Sequence, residues 1–343
     1  MNFAQVVTRV VNVHAGGTDP DVQRLQGDAS SRTYYRVQGP DGSLIAMKLA
    51  DDPLKSDEVV DGERPKSVPF LEVEEYLRRG GIPVPDILHV DLDAGVLLLE
   101  DLGDRTIERA LADGEDKLAL YRAAISLMCD LHAYAARAPD PACICFRRRF
   151  GPKLLRWELE HFYEWGLVAW TGRTPTATER AVLDVFFEDL VRRLTSVPQG
   201  FVHRDFQSRN LMLQSGRLRL IDFQDALLGP YVYDLVALLR DSYVAFTREE
   251  VATLQRAFLA ERRARGLETP DEAELRRHFQ LQALQRKLKD AGRFVYIDRV
   301  KKNPKFLPNI PRSLAYAREA LDELGSYDSA REVLARYLPE SFA

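Results

Sequence analysis

Asp205, Asn210 and Asp222 are the residues whose types and spacing point most directly to chemistry. The first two belong to His203-Arg204-Asp205-Phe206-Gln207-Ser208-Arg209-Asn210, a run of the form His-x-Asp-x4-Asn. Asp222 follows twelve residues after Asn210, within Ile221-Asp222-Phe223-Gln224. The residues between read as a hairpin, with 210–214 and 218–223 flanking a Ser215-Gly216 turn. A hairpin returns its second strand to the start of its first, so the Asn210 amide and the Asp222 carboxylate are expected side by side. Amide and carboxylate oxygens are the hard ligands that Mg2+ takes. Asp205, on the preceding loop, then stands where it can accept a proton from a hydroxyl or orient that hydroxyl for attack on a phosphoryl group. A polar turn with Asp222 as a helix cap uses the same residue types, but the full set at this spacing favours the chemical reading.

Phosphoryl transfer also needs a nucleotide held opposite this loop. Lys48 lies in the alternating run Leu44-Ile45-Ala46-Met47-Lys48-Leu49, far enough upstream to act as a nucleotide-phosphate lysine from a strand. Its carboxylate partner is expected on the helix 68–79, which offers Glu72, Glu74 and Glu75, with Glu72 preferred. Gly27-Asp28-Ala29-Ser30-Ser31-Arg32, between two β-rich stretches, can fold over phosphates with backbone N–H groups and the Ser30 and Ser31 hydroxyls, though any tight turn has this composition. Asp234 follows Asp222 after only 11 residues, with no Ala-Pro-Glu between, which leaves no long segment for docking a peptide and favours a small acceptor. Asp234, near a helix start, is placed to receive backbone donors and brace the catalytic loop, or to serve as a plain N-terminal helix acid.

The elements that must position these groups divide the chain in two. Residues up to about 103 are strand-rich: 32–38 and 43–49 flank Gly-Pro-Asp-Gly, the helix 68–79 stops at Gly80-Gly81, and 87–90 and 95–100 form another strand pair. Beyond Asp104, residues 105–137, 153–170, 177–195, 248–265, 271–293 and 311–337 have helical periodicity, with the one hairpin among them. The expected fold class is α+β and bilobal, with a β-rich N-lobe (1–103) and a mainly helical C-lobe (104–343) meeting at a short hinge near Glu100–Gly103. Lobe junctions are where ligands bind. The 343 residues are 45% apolar and 29% charged, enough for a substantial core. A net charge of −4 argues against a general nucleic-acid binder, and no apolar run is long enough for a membrane span. Cys129, Cys143 and Cys145 are too few for a disulfide framework and read as reduced thiols of a cytoplasmic protein.

With these residues in place, the chain resembles the aminoglycoside phosphotransferase and choline kinase superfamily from Gly27 to about Leu324, a protein-kinase-like fold. Within it the chain is most similar to bacterial kinases that phosphorylate N-acetylmuramate and N-acetylglucosamine at C1 for cell-wall recycling. Residues 25–37, Leu-Leu-Leu-Glu-Asp-Leu-Gly-Asp at 97–104, 203–212, Ile-Asp-Phe-Gln-Asp-Ala at 221–226 and 233–241 carry that likeness. The resemblance implies ATP and Mg2+ as cofactors, Asp205 as catalytic base, Asn210 and Asp222 as metal ligands, and Lys48 as the phosphate lysine. It also implies adenine contacts near Glu100–Leu102. Gln207 stands where many relatives have a histidine, so substrate contacts are sought at Gln207, Arg209, Gln224 and Arg293.

Charge placement bears on the acceptor. Residues 281–305 hold Arg286, Lys287, Lys289, Arg293, Arg299, Lys301, Lys302 and Lys305 against Asp290 and Asp298. This is either a solvated helix face or a cleft lining that suits an anionic sugar acid and repels polycationic aminoglycosides; Arg147-Arg148-Arg149 reads the same way. A choline-type acceptor calls for an aromatic cage, whereas Trp157, Trp165 and Trp170 have the spacing of core packing. The alternatives are an aminoglycoside or choline-like kinase and, outside enzymes, a nucleotide-binding pseudokinase scaffold. A small molecule is the expected partner, with no nucleic acid and no membrane.

Overall fold

Alternation of apolar and polar residues builds the first layer. The computed structural model describes residue 6 and residues 21–25, 32–39, 42–54 and 65–342. Strands β1 (Asp21–Arg24), β2 (Thr33–Gly39), β3 (Gly42–Lys48), β4 (Ile87–Asp91) and β5 (Val96–Glu100) form one antiparallel sheet in the order β1-β2-β3-β5-β4. β2 and β3 pair from Thr33↔Lys48 to Gly39↔Gly42, which sets Lys48 at the far end of β3 from the turn. β5 is an inner strand, between β3 and β4, and is covered on both sides. Leu97 and Leu99 face the main core, and Val96 and Leu98 join Val37 and Ala46 in a small second cluster with Val6 packed against it. Helix α1 (Pro69–Arg79) starts on proline and ends at Gly80-Gly81, with Val73, Tyr76 and Leu77 buried in the main core.

The C-terminal region is helical: α2 (Ile107–Ala112), α3 (Lys117–Arg137), α4 (Pro152–His161), α5 (Ala177–Thr195), α6 (Tyr233–Leu239), α7 (Arg248–Ala264), α8 (Glu272–Lys301), α9 (Ile310–Leu324), α10 (Asp328–Tyr337) and α11 (Pro339–Phe342). Two antiparallel pairs lie among these helices: β6 (Gln199–Val202) with β9 (Leu227–Pro230), and β7 (Leu211–Gln214) with β8 (Arg217–Leu220). No helix of the described residues is long and apolar enough to cross a membrane. Three departures from the sequence expectation have local causes. The helices expected over 105–137 and 311–337 each break at a glycine of positive φ, Gly114 (92°) and Gly325 (57°). The helix expected to stop at 293 runs on to Lys301. The β6–β9 pair was not foreseen, because two four-residue strands, each holding a glycine, carry little alternation.

Two arginines fasten the sheet region to the helical region. From β2, Arg36 grips Asp101 at 2.6 and 3.0 Å and Asp104 at 2.9 and 3.0 Å. From β8, Arg219 reaches back to Glu100 at 2.6 Å and to the Val84 carbonyl at 2.6 Å. Backbone bonds continue the seam, with Leu220 N–H on the Pro83 carbonyl at 2.7 Å and Leu213 N–H on the Arg105 carbonyl at 2.6 Å. The β7–β8 hairpin is thereby set against the segment that joins the two regions.

Beyond α4 the helix continues as a π-helical stretch, Phe162–Ala169, that crosses α8 closely. A Cβ on Gly292 would stand 2.8 Å from the Phe162 Cα and 3.0 Å from the His161 carbonyl oxygen. Backbone atoms cannot yield as a side chain can. Replacing Gly292 by alanine is therefore expected to destabilise the protein despite alanine's helix preference of about 1 kcal/mol. The overpacking cost is roughly 1–3 kcal/mol, to be measured by urea unfolding. A Gly292→Ala protein at least as stable as the wild type would show that the crossing has room.

Candidate active site

The loop between β6 and β7 carries Asp205, and buried carboxylates hold it. Asp234, at the start of α6 and fully buried, accepts the His203 N–H at 2.7 Å and the Arg204 N–H at 3.1 Å. Asp241, just past the end of α6, accepts the Ser208 N–H at 3.0 Å, the Ser208 hydroxyl at 2.5 Å and the Tyr243 N–H at 3.0 Å. Burial pushes the Asp234 carboxyl up to about 7 against the pull of its two backbone donors, and burial raises Asp241 too. His203 is buried, and its Nδ1 accepts the Asp205 N–H at 3.2 Å. Burial lowers its pKa to about 3, so the imidazole is a neutral fixture of the loop. Asp241 escaped the sequence reading. Its signal was an acid seven residues after Asp234, at either end of a helix apolar along its whole length.

The hairpin brings Asn210 and Asp222 together as expected, with the Ile221 N–H on the Asn210 carbonyl at 3.1 Å. The Asn210 side-chain Nδ2 donates to the Asp205 carbonyl at 2.8 Å, which leaves its amide oxygen on the opposite side. Asp222 has a left-handed backbone (φ 65°), a conformation that aspartate tolerates better than most residues. Burial first, then the neighbouring Asp205 carboxylate, push Asp222 up to about 6, while Arg32 and the Gln224 amide pull it down. A pair of mutually repelling carboxylates beside an amide oxygen is a donor set suited to a divalent cation, which would relieve that repulsion. Asn210 and Asp222 fit a divalent cation on this ground.

Arg286, on α8, is the second feature that sequence reasoning missed. Its side chain is buried, stands 4.8 Å over the Tyr233 ring, donates to the Arg204 carbonyl at 2.9 Å and lies 3.5 Å from the Asp205 carboxylate. The solvated-face reading of 281–305 is corrected for its first half. Arg286, Lys287 and Lys289 are buried around Asp290, at 3.9, 2.8 and 3.8 Å, and their charges hold the Asp290 carboxyl far below the usual range although burial works the other way. Arg299, Lys301, Lys302 and Lys305 are exposed.

The remaining expected site residues divide. Gln207 Nε2 lies 3.4 Å from the Asp205 carboxylate. Gln224 is buried and donates to Asp222 at 3.0 Å and Asp225 at 2.9 Å. Arg209 turns to Glu108 at 2.6 and 2.9 Å and covers the Tyr243 ring at 3.5 Å, tying the loop to α2. Arg293 is half-buried beside Tyr296, two turns along α8 from Arg286. Glu72 is not directed at Lys48. Its carboxylate meets the Ser67 hydroxyl, the Ile144 N–H at 2.8 Å and Arg147 at 3.5 Å, so it ties α1 to the helical region. Glu100 is engaged by Arg219, and its N–H donates to the Asp86 carbonyl at 2.9 Å, while Leu102 is buried beside it. Ser30 and Ser31 lie outside the described residues.

The sequence profile of the phosphotransferase enzyme family matches residues 21–276. The chain is 32% identical over 305 residues to the N-acetylmuramate/N-acetylglucosamine kinase of Neisseria meningitidis, covering 88% of this chain and 85% of that protein. It is 31% identical over 309 residues to the protein of the same name from Pseudomonas aeruginosa, covering 90% and 86%. Among solved structures, a choline/ethanolamine kinase family protein from Mesorhizobium loti aligns with a TM-score of 0.61 at 15% identity, covering 96% of this chain and 100% of that one, a likeness of fold.

Asp234 allows a test of the loop restraint. Asp234→Ala leaves two buried N–H groups without an acceptor, at an expected cost of about 1–3 kcal/mol each. A carboxyl whose folded pKa is raised contributes stability that is complete below about pH 4. That contribution is lost as the pH rises through about 7. Unfolding in urea at about pH 5 and about pH 8 should therefore show the wild type losing stability relative to Asp234→Asn, which has no carboxyl there. Parallel pH dependences in the two proteins would place the titration elsewhere.

Proposed function

The chain belongs to the phosphotransferase enzyme family and is a small-molecule kinase; from that premise we propose that it transfers the terminal phosphoryl group of ATP to the C1 hydroxyl of N-acetylmuramate or N-acetylglucosamine. The chemistry rests on one observation, the meeting of Asn210 and Asp222 across a hairpin next to a braced Asp205. The acceptor rests on the N-acetylmuramate/N-acetylglucosamine kinases at 32% and 31% identity, each covered over more than four-fifths of its length. In this reading residues 1–103 hold the nucleotide phosphates and 104–343 carry the catalytic loop, metal and acceptor site. The enzyme works in the cytoplasm, in cell-wall recycling.

An anomeric hydroxyl is more acidic than an ordinary alcohol, so a carboxylate suffices as its base. Asp205 takes the C1 proton as the C1 oxygen bonds to the γ-phosphorus and the bond from that phosphorus to the β–γ bridging oxygen breaks. ADP departs with the electron pair, and the proton passes from Asp205 to solvent. Arg286, fixed to the Arg204 carbonyl, holds the Asp205 side chain in register. Mg2+ held by Asn210 and Asp222 would offset the phosphate charge, and Lys48 would add to that from the sheet. Gln207 and Gln224 stand nearest the loop for contacts to the sugar, with Arg293 reserved for its carboxylate.

The acceptor site is tested with a panel of sugars and ATP. The free N-acetylated amino sugars should be phosphorylated and their methyl glycosides, blocked at C1, should not. Transfer to a methyl glycoside would show that another hydroxyl reacts, and turnover of kanamycin with neither sugar would move the protein to the antibiotic kinases. Asp222→Ala should abolish turnover in a protein that still unfolds cooperatively. Lys48→Ala should cut productive ATP use strongly, whereas a surface lysine would change stability by at most about 0.5 kcal/mol and leave the kinetics alone.

A further inference from the structure

Cys143 and Cys145 lie on either side of Ile144, where a 3-10 turn (Ile144–Phe146) joins α3 to α4. Both side chains are buried, and their sulfurs are 3.2 Å apart. The same turn ties down α1. The Cys143 Sγ lies 3.6 Å from the Glu72 carbonyl, the Ile144 N–H donates to the Glu72 carboxylate at 2.8 Å, and the Phe146 ring meets Tyr76 edge-on at 5.1 Å. Two thiols this close either chelate a soft cation or close to a disulfide. A cation needs further ligands, and among the described residues no group of three or more His, Cys, Asp or Glu side chains could hold one. We propose that Cys143 and Cys145 are a dithiol that a hydroperoxide oxidises reversibly to a disulfide, and that this closure loosens α1 from the helical region.

The two sulfurs have different roles. The Glu72 carbonyl can only accept, so Cys143 donates its S–H there and Cys145 donates to the Cys143 sulfur. That neighbouring thiol holds Cys143 below the usual thiol range, while burial first and Cys143 next push Cys145 up. Cys143 is therefore the attacking thiolate. It bonds to one peroxide oxygen, the O–O bond breaks, and the other oxygen takes a proton and leaves as water or an alcohol. The Cys143 sulfenic acid then meets Cys145, whose sulfur gives up its proton and attacks the Cys143 sulfur. The S–O bond breaks and its hydroxide takes that proton as water, so two thiols are oxidised by two electrons and one hydroperoxide is reduced. A small dithiol returns the pair by exchange. Cys129, on α3, stays reduced, because burial pushes its thiol up to about 12. Closure removes the S–H that the Glu72 carbonyl receives. It also draws the sulfurs together from 3.2 Å, which shifts Ile144 off the Glu72 carboxylate.

The test uses the whole folded chain and no substrate, so it bears on neither the acceptor nor the metal. Hydrogen peroxide is added, remaining thiols are blocked with iodoacetamide, and the tryptic peptide 138–147, which holds both sulfurs but not Cys129, is weighed. It should be two hydrogens lighter and unalkylated, and dithiothreitol before blocking should restore both alkylation sites. In Cys145→Ser the oxidation should stop at the Cys143 sulfenic acid, which dimedone labels. In Cys143→Ser dimedone should find nothing at Cys145. Hydrogen exchange of the α1 amides should run about threefold or more faster in the disulfide form and return to its starting rate on reduction. Should a serine variant fail to fold, the wild-type mass and exchange measurements decide alone. A fully alkylated peptide after peroxide, dimedone on Cys145 in place of Cys143, or a disulfide with α1 exchange unchanged would each overturn the proposal.

Discussion

Arg204 occupies a left-handed backbone conformation, φ 78°, immediately before Asp205. A non-glycine residue in that region costs roughly 1–3 kcal/mol and persists only where its surroundings impose it. Here the imposition is the Asp234 carboxylate, which draws the N–H groups of His203 and Arg204 to one point. From the other side Arg286 takes the Arg204 carbonyl, so both faces of the strained peptide are fixed by buried side chains. Asp241 repeats the device four residues after Arg204, at Ser208. Helix α6 makes this possible. It is buried along its length, so the acids at and just beyond its ends have only the loop to satisfy.

Helix α8 reaches the loop because it runs close to its neighbours. Gly292 and Gly166 lie where α8 and the π-helical stretch cross, and the backbones come within a distance that no side chain permits. A π-helical stretch at such a crossing shifts the side chains that follow it relative to those of α4. The result is a helix whose polar residues are buried by pairing among themselves. Gln282 bonds Gln285, Gln285 bonds Glu158, and Asp290 gathers Arg286, Lys287 and Lys289.

What could be read from the sequence was what is local. Asn210 and Asp222 were legible because a short hairpin fixes their meeting without reference to the rest of the fold. Lys48 was legible as a strand residue, and the helix over 177–195 was found with its ends intact. The partnership assigned to Glu72 failed because the helix face it occupies turns toward Ile144 and Arg147, a contact between segments some seventy residues apart. Arg286 could not be found because it acts on a loop some eighty residues away, and its neighbours made it look like one cation in a solvated run. Periodicity reports which face of a helix is apolar. It does not report a polar face that is buried by internal ion pairing, and α8 is such a case.

The seam between the sheet and the helices adds ion pairs to the apolar core that the two regions share. Arg36 joins Asp101 and Asp104, and Arg219 joins Glu100, with Asp104 more than half exposed and Glu100 partly so. Attraction between such groups is screened over about 8 Å at physiological ionic strength, and less where water is excluded. The Asp101 contact is therefore the firm pivot, and the Asp104 and Glu100 contacts soften as salt is added. The grip of the joint's ionic part is thus set by the solution as well as by the chain, and it loosens as the salt around it rises.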